Sequence, residues 1–162
     1  MQDLTQAIKG WSDDRLAGMR RGVEKESLRT RADGHLASTG HPTALGSALT
    51  HPHITTDFSE SQVELITGVH PSAQACAAEL DAVQTFTLHA IGEELLWPSS
   101  MPCWLPGDDA IPLGQYGTSN VGRSKTVYRS GLGYRYGGAC KPSRACTTTG
   151  PSRRWRMPIT SA

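Results

Sequence analysis

The chain has 162 residues, a net charge of +1, 37% apolar residues and 19% charged residues. That is enough for one domain with a modest core, and too little charge imbalance for a disordered chain. No apolar run is long enough to span a bilayer and no charged-then-apolar leader opens the sequence, so a cytoplasmic location is expected. Cys76, Cys103, Cys140 and Cys146 show no C-x-x-C spacing, which argues against a zinc site or a redox pair. Charge is unevenly spread: all 15 acidic residues lie at or before Asp109, while nine of the 16 Lys and Arg follow it. A basic C-terminal half can mark a nucleic-acid or phosphate surface.

In chain order, residues 2–18 predict a short helix with Leu4, Ile8 and Trp11 on one side, ended by Gly18. "MRRGVEKESLR", Met19 to Arg29, reads as a strand that sets Glu24 and Glu26 on one face, because residues two apart in a strand point the same way. Their like charges repel unless a cation or water relieves them, and an isolated E-x-E most often faces water. "ADGH", Ala32 to His35, predicts a tight Asp-Gly turn with "HLAST" returning as a second strand. Gly40 to His53 is loop with room for one helical turn, and "QVELIT" alternates as a strand with Val63 and Leu65 on one side and Glu64 on the other.

A helix is expected from about Ser72 to Trp97, with Leu80, Val83, Phe86, Ala90, Ile91 and Leu95 as its core stripe and Pro71 and Pro98 as brackets. A proline-rich loop follows. "SNVGRSKTVYRSGL" then predicts a helix with a Ser or Asn cap and with Arg123, Lys125 and Arg129 near Tyr128. Strands and helices without a βαβ rhythm predict an α+β fold.

Four carboxylates stand out: Glu24 and Glu26 in the first strand, Asp57 ahead of "QVELIT", and Glu64 within it. If the strands are neighbours, all four converge on one face, an oxygen-rich set suited to Mg²⁺ or Mn²⁺; as separate residues they read as solvated strand positions. The six histidines, mostly in loops, have no metal-ligand spacing. No phosphate loop, dinucleotide fingerprint or nucleophile elbow occurs, and "YGTSNVGRSK" is the nearest approach to a phosphate-contacting segment.

Taken together, "RGVEKESLR", "ADGHLASTGHPTALGSALTHPHITTDFSESQVELIT", "LWPSSMPCW" and "QYGTSNVGRSKTVYRSGLGYRYG" resemble the N-terminal part of the proteobacterial glutamate–cysteine ligase family, from about Met19 to Gly137. The resemblance implies an antiparallel sheet lined by metal-binding carboxylates in a fold related to glutamine synthetase, incomplete here. It further implies an ATP-dependent, monomeric enzyme that joins L-glutamate to L-cysteine through a γ-glutamyl phosphate. By the same resemblance Glu24, Glu26, Asp57 and Glu64 match metal ligands, and Phe58 and Tyr128 match residues lining the cysteine pocket. Mg²⁺ or Mn²⁺ is the implied metal and ATP the implied co-substrate. Neither a membrane nor a nucleic acid is an expected partner.

Residues 1–137 are thus expected to be the opening of the ligase domain and 138–162 a basic tail foreign to it. In the family a segment resembling Gln-x-Ile-x-Gly-Val-His-Tyr-Asn should come next, its His a further metal ligand. Read from the third base of each codon, Cys140 to Gly150 can encode Leu-Gln-Ala-Ile-Ser-Gly-Val-His-Tyr-Asn-Trp. A shifted frame near codon 138 and a fragment with little activity, poor stability and exposed strand edges are the expectation. The contrasting reading is a small binding module whose Arg153, Arg154, Trp155 and Arg156 contact nucleic acid.

Overall fold

The computed structural model describes residues 14, 17–99, 101–137 and 147–149. Most of the expected helix at 2–18 lies outside these residues, as do Arg153, Arg154, Trp155 and Arg156; Gly18 does close a turn, its N–H donating to Asp14 O at 3.0 Å.

Strand β1 (Gly22–Thr30) is the spine of the sheet. Strands β2 (Ile54–Thr56) and β3 (Gln62–Ile66) form an antiparallel hairpin, and β3 pairs along β1 with Glu26 opposite Glu64 and Ser27 opposite Val63. Two short strands share the other edge of β1: β4 (Leu95–Leu96) beside Arg29 and Thr30, and β5 (Thr147–Thr149) beside Gly22 to Glu24. The spatial order is β2-β3-β1-β4, with β5 also on β1 and every pairing antiparallel. The expected α+β class is therefore the observed one.

Alternation divides the sheet into two faces. Val63, Leu65 and Ile54 turn to one side, where they meet Leu45 and Ile91 and the flank of helix α1 (Ala73–Ala90) through Leu80, Val83 and Ala90. On the other side Leu28 joins Leu36, Cys103 and Ile111 in a smaller cluster under the loop that contains Trp97 and Leu105. Helix α1 starts at Ser72, whose hydroxyl accepts from Ala75 N at 3.1 Å. Glu79 moors it to the end of β3 by accepting from Gly68 N at 2.6 Å and pairing with His70 Nε2 at 2.5 Å; the His70 bond holds its carboxyl below the usual range. Helix α2 (Asn120–Tyr136) is capped by Ser119, and buried Gly122 lets its first turn rest on the Tyr116 carbonyl, with which a Cβ would collide.

Three expectations need correction. The helix expected to reach Trp97 stops at Ala90; Gly92 takes φ +67°, and Leu95–Leu96 extends into β4 because β1 offers it a free edge. Consequently Leu95 is not part of a helical stripe, and Phe86, expected in the core, faces out at 51% exposure. The Asp33-Gly34 turn forms, with Gly34 at φ +82°, but "HLAST" returns only as an isolated Thr30–Leu36 bridge. Arg29 explains the early departure: its guanidinium takes the carbonyls of Thr39 and Gly40 at 2.7 and 3.0 Å, pulling that segment across the strand end instead of along it.

Arg29 is completely buried and also reaches Thr39 Oγ1 (2.8 Å), Glu60 O (2.8 Å) and Glu94 Oε2 (2.5 Å). Removing a buried ionic partner leaves the remaining groups uncompensated. Arg29→Ala is expected to lower the unfolding free energy by about 3–5 kcal/mol, read from urea denaturation. Arg29→Lys, which cannot fan over as many acceptors, should recover only part of it; wild-type stability in either variant would contradict the role given to this side chain.

Candidate metal and substrate site

The β1–β3–β2 register builds the acidic face. Glu26 stands opposite Glu64, Glu64 opposite Thr55, and Asp57 N donates to Gln62 O at 3.3 Å, so Asp57 continues β2 by one more step on the Glu64 side. Glu24, two residues before Glu26, shares that face, while Val63 and Leu65, on either side of Glu64, anchor the strand in the core. The sheet thus brings all four sequence-predicted carboxylates to one side. Burial pushes the Glu64 carboxyl up to about 7, and the charges of Asp57, Glu24 and Glu26 push in the same direction. Among the described residues no three His, Cys, Asp or Glu side chains are grouped tightly enough to hold a metal ion.

Asp57 is the most constrained of the four. The Tyr116 hydroxyl donates to the carbonyl oxygens of Thr56 and Asp57, the latter at 2.5 Å, and Arg129 Nε donates to the same Asp57 oxygen. Arg129 Nη2 lies 3.4 Å from Asp57 Oδ1, and the guanidinium covers the Tyr116 ring at 4.5 Å. Lys125 Nζ approaches the same ring at 5.1 Å. These two cations were expected near Tyr128; they gather instead on Tyr116, and burial raises the phenol pKa well above its ordinary value. Glu60 adds a second fastening, accepting from His41 N at 2.5 Å and from Gln115 N. A cleft of about 240 Å³ opens next to these contacts, lined in part by His41, Thr43, Gln115 and Tyr116.

The two expected substrate-pocket residues are placed differently from one another. Phe58 is buried, its ring tip 3.6 Å from where a Cβ on Gly133 would stand, whereas Tyr128 is 65% exposed on another side of α2. Sequence reading missed Gln62, whose Nε2 donates to Glu26 Oε2 at 2.7 Å, and the clamp of Tyr116 and Arg129 on Asp57. Gln62 was open to detection, since it precedes Glu64 by two positions and so shares its face. Nothing local points to Tyr116, which lies 59 residues from its partner.

Glu64 gives a pH dependence of definite sign. Its pKa is higher folded than the ordinary 4.5, so the folded chain binds more protons between about pH 4.5 and 7. Its stabilising contribution is complete below that window and is lost as pH rises through about 7. Urea midpoints should fall across the window in the wild type and less steeply in Glu64→Gln; identical slopes would contradict the cluster.

Comparison with known proteins places this geometry in a lineage. A model of the glutamate–cysteine ligase family matches residues 5–142. Over 122 residues the chain is 56% identical to the glutamate–cysteine ligase of Alcanivorax borkumensis, covering 75% of this chain and 23% of that one. For the Yersinia pseudotuberculosis ligase the values are 52% identity, 75% and 24%. The glutamate–cysteine ligase of Francisella tularensis, solved in complex with AMP, superposes with a TM-score of 0.76 at 39% identity, over 81% of this chain and 26% of its own. A bifunctional glutathione synthetase from Pasteurella multocida gives 0.71 at 33% identity, over 82% and 17%. The chain spans about a quarter of the length of the curated relatives it matches. With more than half of its residues inside the family match, and with the carboxylate-bearing strands among them, this chain belongs to the glutamate–cysteine ligase family.

Proposed function

We infer that the gene derives from an ATP-dependent ligase that joins the γ-carboxylate of L-glutamate to the amine of L-cysteine, the first step of glutathione biosynthesis. The observation that carries this reading is the single acidic face formed by Glu24, Glu26, Asp57 and Glu64 within the family match. All four are oxygen donors, the type that Mg²⁺ or Mn²⁺ takes; burial first and the neighbouring carboxylates second raise Glu64, and a divalent cation drawing the four closer together would relieve the repulsive part. When bound, such a metal offsets negative charge on the phosphates of ATP. Phe58 and Tyr128 are assigned to the pocket for cysteine, and the AMP bound by the Francisella tularensis relative supports a nucleotide site. Tyr116 and Arg129 hold the backbone of Asp57 so that its carboxylate stays on the sheet's acidic side. The same reading makes the substrates glutamate, cysteine and ATP, and the location cytoplasmic; among the described residues no helix is long and apolar enough to cross a membrane.

The reading frame, on this proposal, is displaced from about residue 138, so that 138–162 is not ligase sequence. Two observations support it. The family match ends at residue 142, close to that point. The β5–β1 register sets Thr147 opposite Glu24, and Thr147 is the position at which the shifted frame encodes histidine. The expected His ligand would thus stand beside the expected carboxylate ligand. As written, the chain has the strand without that imidazole.

Purified chain is expected to show little or no release of phosphate dependent on ATP, glutamate and cysteine. A gene given a single-base change near codon 138 should yield an active ligase. Robust turnover by the unaltered chain, or resequencing that leaves no single-base route to a full ligase, would remove the displaced frame. For the metal assignment, millimolar Mg²⁺ should move the Glu64 carboxyl titration to lower pH by NMR; an unmoved titration counts against it.

A further inference from the structure

Helix α2 has two unlike sides. Its inner side is used by the domain: Gly122 is buried on the Tyr116 carbonyl, Arg129 reaches Asp57, and Gly133 faces Phe58 and Leu113. On the opposite side Val127 is 70% exposed and Tyr134 is 95% exposed, with Gly131 between them. Residues spaced by four and then three form one stripe on a helix. Among the described residues nothing stands within 4 Å of the position a Cβ on Gly131 would take. Single exposed apolar residues need no explanation, but a helix-interior glycine with open space around it does, since glycine weakens a helix and here makes room for nothing in the domain. A glycine flanked by valine and tyrosine suits the close approach of another backbone, gripped on both sides.

The comparisons supply the occupant. The 122 residues matched in the Alcanivorax borkumensis ligase are 23% of that protein, so roughly three-quarters of a relative's chain has to be accommodated elsewhere on this domain. We propose that the Val127–Gly131–Tyr134 stripe seats a segment of that remaining portion, and that it does so in trans when the portion is supplied as a separate polypeptide. Exposed Arg123 and Arg135 flank the stripe and α2 carries no acid, so the segment that docks should be apolar at its centre with acidic residues at its margin. The proposal rests on the ligase reading for the identity of the partner, but its readout is assembly.

The test is co-expression of this chain with the Alcanivorax borkumensis ligase from which the 122 matched residues have been deleted. A one-to-one complex is expected by light scattering, with slowed amide exchange across residues 120–136. Gly131→Leu and Tyr134→Glu should each weaken it by at least about tenfold, while the free chain keeps its circular dichroism because both positions are exposed among the described residues. Gly131→Ala separates the two states: it should raise the thermal midpoint of the free chain, where there is room for a methyl group, yet loosen the complex. No complex would overturn the proposal, as would a complex indifferent to both disruptive variants. Self-association through the stripe would overturn it too, as would protection of the stripe in the free chain that vanishes when residues 138–162 are deleted. A sensitive complex without turnover upholds the docking and counts against the ligase reading; turnover by an insensitive complex does the reverse.

Discussion

One buried guanidinium determines how the rest of this structure is arranged. Arg29 lies at the end of the central strand with no exposure to water, where a charge needs partners; its two terminal nitrogens have them, while its Nε has none among the described residues. Its acceptors come from three separate segments: Thr39 and Gly40 after the Asp33-Gly34 turn, Glu60 between β2 and β3, and Glu94 beyond α1. The two hydrophobic clusters lie on opposite faces of the sheet, whereas Arg29 joins all three segments directly at the strand end. Because the Glu60 carbonyl is one of the acceptors, the β2–β3 connection is fixed against β1, and with it the strand that bears Glu64. The acidic face thus depends on a cation that is not part of it.

The face itself is a case of electrostatic cost held in place by packing. Val63 and Leu65 have no exposure, and their burial leaves Glu64 no choice of side. Asp57 is fixed by hydrogen bonds to its backbone oxygen, which constrain the main chain whatever the state of its carboxylate. Asp57 has the Arg129 guanidinium within ion-pair distance, and Glu64, opposite Glu26, is the acid that burial and its neighbours' charges push up.

Much of this was legible in the sequence, and what was not has identifiable causes. Period-two spacing gave β1, β3 and the pairing of Glu24 with Glu26, because alternation is a local property of the chain. The Ser119 cap and the Asp33-Gly34 turn are equally local. Helix α1 was read too long because Ile91 and Leu95 continue a helical spacing that Gly92 interrupts, and the open edge of β1 decides for strand. β2 has only three residues, too few to show a period. Nothing in the sequence singles out Arg29, since its acceptors are mostly carbonyl groups that no residue identity announces. The acids were legible as types and spacings; the clamp of Tyr116 and Arg129 was not, because it depends on how the loop before α2 returns to the sheet.

That return has a consequence for the order in which the chain acquires its structure during synthesis. Asp57 and Arg129 are separated by 72 residues, Glu60 and Gln115 by 55, and Arg29 and Glu94 by 65. Closing such loops is entropically slow and cannot begin until the later partner has left the ribosome. During translation the nascent chain therefore carries first a buried-type arginine without its glutamate and later an acidic hairpin without its arginine. The contacts that fasten the acidic face are among the later ones to become available, so the half-made chain meets chaperones and proteases before Asp57 is clamped.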